Sequence, residues 1–533
     1  MRYLLLLGLL FFVTLSPTRA QQNPAAPCGV VDQLDFPIDG LVPGYDDFSL
    51  YRERFGGNHT GIDIGFDRWG DPIHAAARGR VTYSDPEGWD TEKGVVIIEH
   101  VFPDGSIIYT LYGHMEQSDT ISFPAVGTCV ERGQVVGAEG WPSRGRPHLH
   151  YEIRNFMPND GGPGYVTDNP ISHGWYNPLD FTALWRAKLR HLVENYVSFD
   201  VVPSLPPVQL ENGQYVVANS NSLAGVQPPN TILWRVDTDG VINGLAALPG
   251  SIAVAHTRNG QVVALQNGRY TAVWQVQGPP DAPLIALGDK LIFVTQDNGL
   301  AAYDAAGKAL WTVRGPGGDV TLFQSDGKNV MLCVRTGDGK VLWRVVDGDG
   351  TVTGETTMQD APLAEPTGDG SWMLLGGGQL ERYTGSAGQP VGNVSPAPGR
   401  AAHMAVDFLG TSYIYLGDPD STLLAVGKEG DVRWRVTYPE KSGFVSPMLT
   451  TGGGCLLYAL DADGMLNVFS TGDGKLVDQL QLYAGGKQNT SPAARVLRAD
   501  KNERLLVGSG FLTMMMLDGT KFGGDTLANC RLG

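Results

Sequence analysis

Cysteine is scarce in this chain of 533 residues, with five in all, too few for a disulfide scaffold. Cationic side chains are in deficit as well, 39 Lys and Arg against 56 Asp and Glu. The formal net charge of −17 removes the electrostatic attraction on which nucleic-acid binding rests. After the first twenty residues no apolar run is long enough to span a bilayer. Those twenty differ from the rest. Arg2, an apolar run from Tyr3 to Leu15 and the closing Thr18-Arg19-Ala20 have the form of a secretory signal cut before Gln21, with an uncleaved anchor as the alternative. No cysteine sits at the cut to take a lipid, so the mature chain is expected to be exported and without stable membrane insertion. Its place would be extracellular or in the periplasm and cell envelope.

Glycine, by contrast, is abundant: the 71 residues are about twice the usual share of ~7%. They fall in short turns between apolar runs, which points to turn-rich, all-β structure. The length exceeds what one hydrophobic core supports, so at least two domains are expected. After the signal (1–20) and a short N-terminal segment (21–34), residues 35–184 read as one β domain of short strands such as Gly94-Val95-Val96-Ile97-Ile98-Glu99. Thr182 to Val197 has the spacing of an amphipathic helix, and Pro203-Ser204-Leu205-Pro206-Pro207 marks a stiff linker, so residues 185–205 are assigned to helix and linker. Residues 206–533 repeat at roughly forty-residue intervals. Leu233-Trp234-Arg235-Val236, Val273-Trp274-Gln275-Val276, Leu310-Trp311-Thr312-Val313, Leu342-Trp343-Arg344-Val345 and Arg433-Trp434-Arg435-Val436 mark successive units, and weaker copies around Val391, Val477 and Met515 bring the count to eight, with seven as the alternative. Such units hide their edges by closing radially into a seven- or eight-bladed β-propeller, a solenoid being the lesser alternative. Of the cysteines, Cys28 and Cys129 flank the first histidine segment and are the expected disulfide; joining Cys455 to Cys530 is a guess.

Six of the ten histidines lie between residues 59 and 150. In His59-Thr60-Gly61-Ile62-Asp63 a period of two puts His59, Gly61 and Asp63 on one face of a strand and Thr60, Ile62 and Ile64 on the other, apolar one. The His-x-x-x-Asp spacing would also share a helix face, but Gly61 and Gly65 among β-branched residues favour the strand. In Pro147-His148-Leu149-His150-Tyr151-Glu152 the same alternation groups His148, His150 and Glu152. Two such strands side by side would converge ligands for a zinc ion. A hydrolytic zinc site needs three protein ligands and an open position, and His59, Asp63 and His150 supply that set. His148, two residues from a ligand, and His114, after Tyr112-Gly113, are then placed to act on a water or an oxyanion, as general base and transition-state stabiliser. His74 and His100 read as surface or packing residues, and His173 as a loop residue, exposed or on a cleft wall.

These segments resemble the LytM/lysostaphin-type zinc metallopeptidases, whose His-x-Gly-x-Asp, Tyr-x-His and His-x-His patterns occur here in order over roughly residues 50 to 182. Gly70-Asp71-Pro72-Ile73 and the closing Asn177-Pro178-Leu179-Asp180-Phe181 fit as well. The resemblance implies one zinc ion held by His59, Asp63 and His150, catalysis by His114 and His148, and peptide bonds of peptidoglycan as substrate. Arg146 replaces a usual glycine, and the stretch from Arg154 to Asn177 is longer than usual; either could alter substrate preference. The net charge gives no general attraction to an anionic wall, so such a substrate would have to be held by shape. The repeats resemble PQQ-like β-propellers, most closely in Thr336-Gly337-Asp338-Gly339-Lys340-Val341-Leu342-Trp343. There is no adjacent cysteine pair and no cluster of quinone or calcium ligands, so the propeller reads as a scaffold or a docking surface for a protein partner. The expectation is an exported zinc endopeptidase. A non-catalytic wall-binding regulator of another hydrolase and a general extracellular zinc protease are the alternatives. Because every candidate ligand and base precedes residue 185, the first domain is expected to act independently.

Overall fold

The computed structural model describes residues 26–38, 47–157, 161–162, 164–279, 284–359, 363–393, 401–417, 421–438, 443–444, 448–450, 454–482, 497–499, 504–508 and 511–524. Residues 1–20, read above as a secretory signal, and Cys530 therefore lie outside the described residues. Among the described residues no helix is long and apolar enough to cross a membrane.

The first domain is built from short antiparallel strands. β1 (Tyr51–Arg52), β2 (Gly57–His59) and, from within the stretch between Arg154 and Asn177, β11 (Tyr165–Val166) form a small sheet. A nine-stranded sheet contains β3 (Ile62–Ile64), β4 (Pro72–His74), β5 (Gly79–Asp85), β6 (Gly94–Val101), β7 (Ile107–Glu116), β8 (Cys129–Val130), β9 (Val135–Glu139), β10 (Leu149–Arg154) and β12 (Trp175–Tyr176). β10 lies between β7 and β3, with His150 opposite both Gly113 and Asp63. Its other face, Leu149, Tyr151 and Ile153, joins Ile62, Ile64, Tyr112 and Trp185 in the core. The expected disulfide is present: Cys28 and Cys129 are bonded across 101 residues of chain. In the chain-entropy picture, closing a loop of that size removes about 4 to 5 kcal/mol of freedom from the unfolded state.

The helix differs from the expectation. α1 spans Pro178–Leu189, not 182–197. Asn177 caps it by accepting from the Leu179 and Asp180 N–H groups, and Pro178 opens the first turn, where its missing N–H costs nothing. The Val193–Ser198 stretch, with Val193, Tyr196 and Val197, prefers the extended state and forms strand β13, paired with Thr513–Asp518 at the end of the chain. The proline-rich stretch 203–207 thus follows the first strand of the propeller and does not lie between the domains.

Eight four-stranded antiparallel sheets fill the described part of residues 193–524. Successive sheets share apolar clusters, and the sheet that contains β13 packs both on Tyr215, Val217 and Val226 and on Tyr458, Leu466 and Val468, which closes the ring. The tryptophan repeat has a packing reason. Trp234, Trp274, Trp311 and Trp434 sit on outermost strands and press on Gly268, Gly307, Gly350 and Gly474, each in a turn with positive φ; a Cβ there would lie 2.5–2.7 Å from the indole. Trp343 is out of phase: it lies on the third strand of its sheet, almost wholly buried.

The domains share their cores. Leu184 and Ala187 of α1 pack into the propeller with Leu456 and Leu517, while Phe511 and Leu512 enter the core of the first domain. Asp180, 4% exposed, accepts from the backbone N–H groups of Phe511, Leu512 and Thr513 at 2.9 to 3.2 Å. The separation expected from the proline-rich stretch is absent.

Candidate metal centre

The strand reading holds in part: His150 lies on β10, with His148 just before it. The first segment is not one strand, since a bend at residues 60–61 separates β2, which carries His59, from β3 of the other sheet, which carries Asp63. Thr60 turns to Glu152 instead of the apolar core. The glycine between His59 and Asp63 has a specific cause. A Cβ on Gly61 would collide with the Tyr151 carbonyl oxygen and the Glu152 Cγ, so only glycine lets this segment lie against β10. His59 Nε2, His150 Nδ1 and Asp63 Oδ1 form a triangle with edges of 2.8, 3.3 and 3.4 Å. Around a zinc ion bound at about 2.0–2.2 Å, tetrahedral ligand atoms stand about 3.3 Å apart. Asp63 Oδ1 is buried with no hydrogen-bond partner, as expected of an atom directed at a cation. This His-Asp-His group could therefore hold a metal ion.

The outer nitrogens of both histidines face carboxylates, and the Asp63 backbone is fixed as well. His59 Nδ1 faces Asp47 Oδ2 at 3.2 Å, and Asp47 Oδ1 accepts the Asp63 N–H at 3.1 Å. His150 Nε2 stands 2.9 Å from Glu152 Oε1. Burial alone would lower the His59 pKa, but Asp63 and Asp47 outweigh it and hold it well above the ordinary imidazole value. His150 is raised too, its burial offset by Asp63 and Glu152. Burial disfavours the ionised forms of Asp63 and Glu152, yet the surrounding cations and donors win: Asp63 lies well below the carboxylate range and Glu152 at about 2.

His114 and His148 stand beside the triangle with rings 4.6 Å apart, and His148 Nε2 is 3.6 Å from Asp63 Oδ1. Each ring is oriented by a backbone carbonyl, His114 Nδ1 by Glu92 at 2.7 Å and His148 Nδ1 by Arg146 at 2.8 Å. When neutral, both therefore present an Nε2 lone pair. Burial, then the nearby His148 and His150, pushes the His114 pKa down to about 3. His114 is aimed by a β-bulge: β7 spends one extra residue between Tyr112 and Met115 relative to β6, and His114 takes a left-handed φ of 58°. Gly113 has no room for a side chain because the Trp89 ring lies against it.

Of the remaining histidines, His100 is a core residue bonded to the Arg78 carbonyl and Thr110, His74 is half-buried, and His173 is exposed near Asp168. Asp47 and Trp89 were not found from the sequence. Trp89 packs edge-on against His114 and His150 at 5.1 and 5.3 Å. Neither residue carries a motif. Glu152 had a signal, its place on the His150 face. Arg146, the departure from the family pattern, lies over the Phe66 ring at 4.1 Å and pairs with Asp67.

Residues 57–163 match the model of peptidase family M23, and residues 219–362 match the one described as outer membrane protein assembly factor BamB. No curated protein matches the chain. Among solved structures it is similar to BamB from Moraxella catarrhalis, at 18% identity and a TM-score of 0.44, covering 61% of this chain and 96% of that one. The computationally designed protein Ika8 (14% identity, TM-score 0.44) and the C-terminal WD40 domain of Sif2 (12%, 0.44) each cover 61% of this chain and 98% of their own. In this chain a peptidase domain matching family M23 is followed by a β-propeller similar to that of BamB.

Proposed function

We propose that the chain is an exported zinc endopeptidase that hydrolyses peptide bonds of peptidoglycan, with the propeller binding a partner or placing the enzyme at the wall. The observation that carries this reading is the triangle of His59 Nε2, Asp63 Oδ1 and His150 Nδ1 beside two carbonyl-oriented histidines, within a segment that matches a peptidase family. Those three residues would hold the zinc. A zinc ion there would supply the charge that lowers the pKa of a water from 15.7 to about 7 and polarises a carbonyl. The protein supplies the proton handling. His148, with Nδ1–H committed to a backbone carbonyl, accepts a proton at Nε2 from the attacking water as general base, and His114, held neutral by burial, accepts a hydrogen bond at Nε2 that orients the reacting groups. An imidazole that has taken the proton becomes a donor, able to stabilise an oxyanion or protonate the leaving nitrogen. The N-terminal twenty residues would direct export.

The test is digestion of purified cell wall by the full mature protein, with separation of the released fragments, beside an unstructured soluble protein. Release of wall fragments with newly exposed amines supports the reading. Cleavage of the soluble protein alone would make it a general protease, and no cleavage of either would make it a non-catalytic binder.

A further inference from the structure

Glu152 is wholly buried and makes only acceptor contacts. Oε1 takes the Thr60 hydroxyl at 2.5 Å and faces His150 Nε2 at 2.9 Å; Oε2 takes Arg154 Nη1 and the Trp175 indole N–H, both at 2.9 Å. An ionised carboxylate can only accept, so the hydrogen on the His150 ring has to sit on Nε2. Nδ1 is then left with a lone pair, directed at His59 Nε2 and Asp63 Oδ1. His59 offers the opposite nitrogen, since its Nδ1 faces Asp47. Which atom of His150 faces a cation is therefore decided one residue further out.

We propose that Glu152 is the positioning residue of this centre, fixing His150 in the tautomer that presents Nδ1, while Thr60, Arg154 and Trp175 hold the carboxylate as an acceptor, with His150 as its fourth donor. This rests on the zinc-site reading above. Three features are arranged around it. Strand alternation sets Glu152 on the face of its ligand, the absence of a side chain at Gly61 leaves room for Glu152 Cγ, and the long insertion after Arg154 returns the chain at Trp175 to supply the indole donor. Partners of this kind typically contribute 10–100-fold to metal affinity, as an order of magnitude.

Glu152→Gln in the full-length protein tests the assignment. The new amide cannot turn its NH2 toward Arg154 and Trp175, which are donors, so it faces Thr60 and His150 and donates to His150 Nε2. The ring proton then moves to Nδ1. Two measurements decide it: the ¹⁵N resonances of the His150 ring in metal-free protein at about pH 9, above the ordinary imidazole range, and zinc affinity by competition with a chromogenic chelator. Nε2–H in the unmodified protein, Nδ1–H in E152Q and a 10–100-fold weaker zinc complex, in order of magnitude, are expected. A proton on Nδ1 in the unmodified protein overturns the proposal, and so does zinc affinity in E152Q within about threefold of the unmodified value. If E152Q does not fold, the resonances of the unmodified protein still decide. Peptide cleavage enters neither measurement, so a protein that binds zinc this way and cuts nothing overturns the proposed function and leaves the role of Glu152 standing.

Discussion

His59 Nε2 and His150 Nδ1 face each other at 2.8 Å with Asp63 Oδ1 beside both, so a position that gathers three acceptors is stable only with a proton or a cation among them. Protons and metal therefore compete. His59 and His150 hold protons more tightly than a free imidazole, so zinc affinity should fall as pH drops through the range above 6.5, by about tenfold per unit for each proton displaced. Zinc titrations between pH 6 and about pH 9 check this. A strong chelator should abolish hydrolysis and added zinc restore it, and His59→Ala, Asp63→Ala and His150→Ala should each purify without metal. A pH-independent affinity would contradict the arrangement.

The two histidines with carbonyl-bound Nδ1 atoms should behave differently. His114→Ala and His148→Ala are expected to retain one zinc per chain and to lose turnover by about a hundredfold or more. Metal content and single-turnover rates separate the two roles. A variant that loses zinc would mark its residue as a ligand.

The residues of the candidate centre were legible because short local motifs carry them and strand alternation groups His150 with Glu152, whereas His59 and Asp63 come together through the bend at residues 60–61 between two strands and not by sharing one strand face. Asp47 and Trp89 were not, since each reaches the centre only through the tertiary fold. The tryptophan repeat gave the propeller, yet Trp343 shows that a local motif can recur out of structural phase. The helix was displaced for a physical reason. Apolar spacing in 182–197 suggests one helix, but the Asn177-Pro178 start sets the helix earlier, and the β-prone Val193–Ser198 pairs with a strand about 320 residues away.

His100 should make the peptidase domain acid-sensitive. Complete burial pushes its pKa down to about 4, with only partial compensation from the Arg78 carbonyl. Because the folded value is depressed, the unfolded chain binds the proton more readily. The stability that depends on a neutral His100 is fully present above about pH 6.5 and is lost as pH falls toward 4, to a total of about 3 kcal/mol. Urea denaturation midpoints at stepped pH should show this slope, and His100→Gln should flatten it although the variant starts from lower stability. An unchanged slope would assign the acid sensitivity to other groups.

The propeller should be inseparable from the peptidase domain in stability, although it holds none of the proposed ligands. Asp180 sits in the first turn of α1, where its charge is favoured by the helix N-terminus, and it satisfies three buried N–H groups of residues 511–513. Asp180→Ala leaves those donors without a partner in a core that excludes water, at about 1–3 kcal/mol for each donor that finds no substitute. A loss of at least about 3 kcal/mol is expected, with both domains melting in a single transition before and after the change. Asp180→Asn keeps one acceptor oxygen and should lose less. Truncation at residue 200 removes Phe511 and Leu512 from the peptidase core and exposes Leu184 and Ala187, so the isolated domain should unfold well below the full chain or aggregate. Differential scanning calorimetry of the full chain, the two variants and the truncated domain checks this. Two well-separated transitions in the full chain, with the earlier one unmoved by Asp180→Ala, would show that the domains fold independently and that the contact carries little energy.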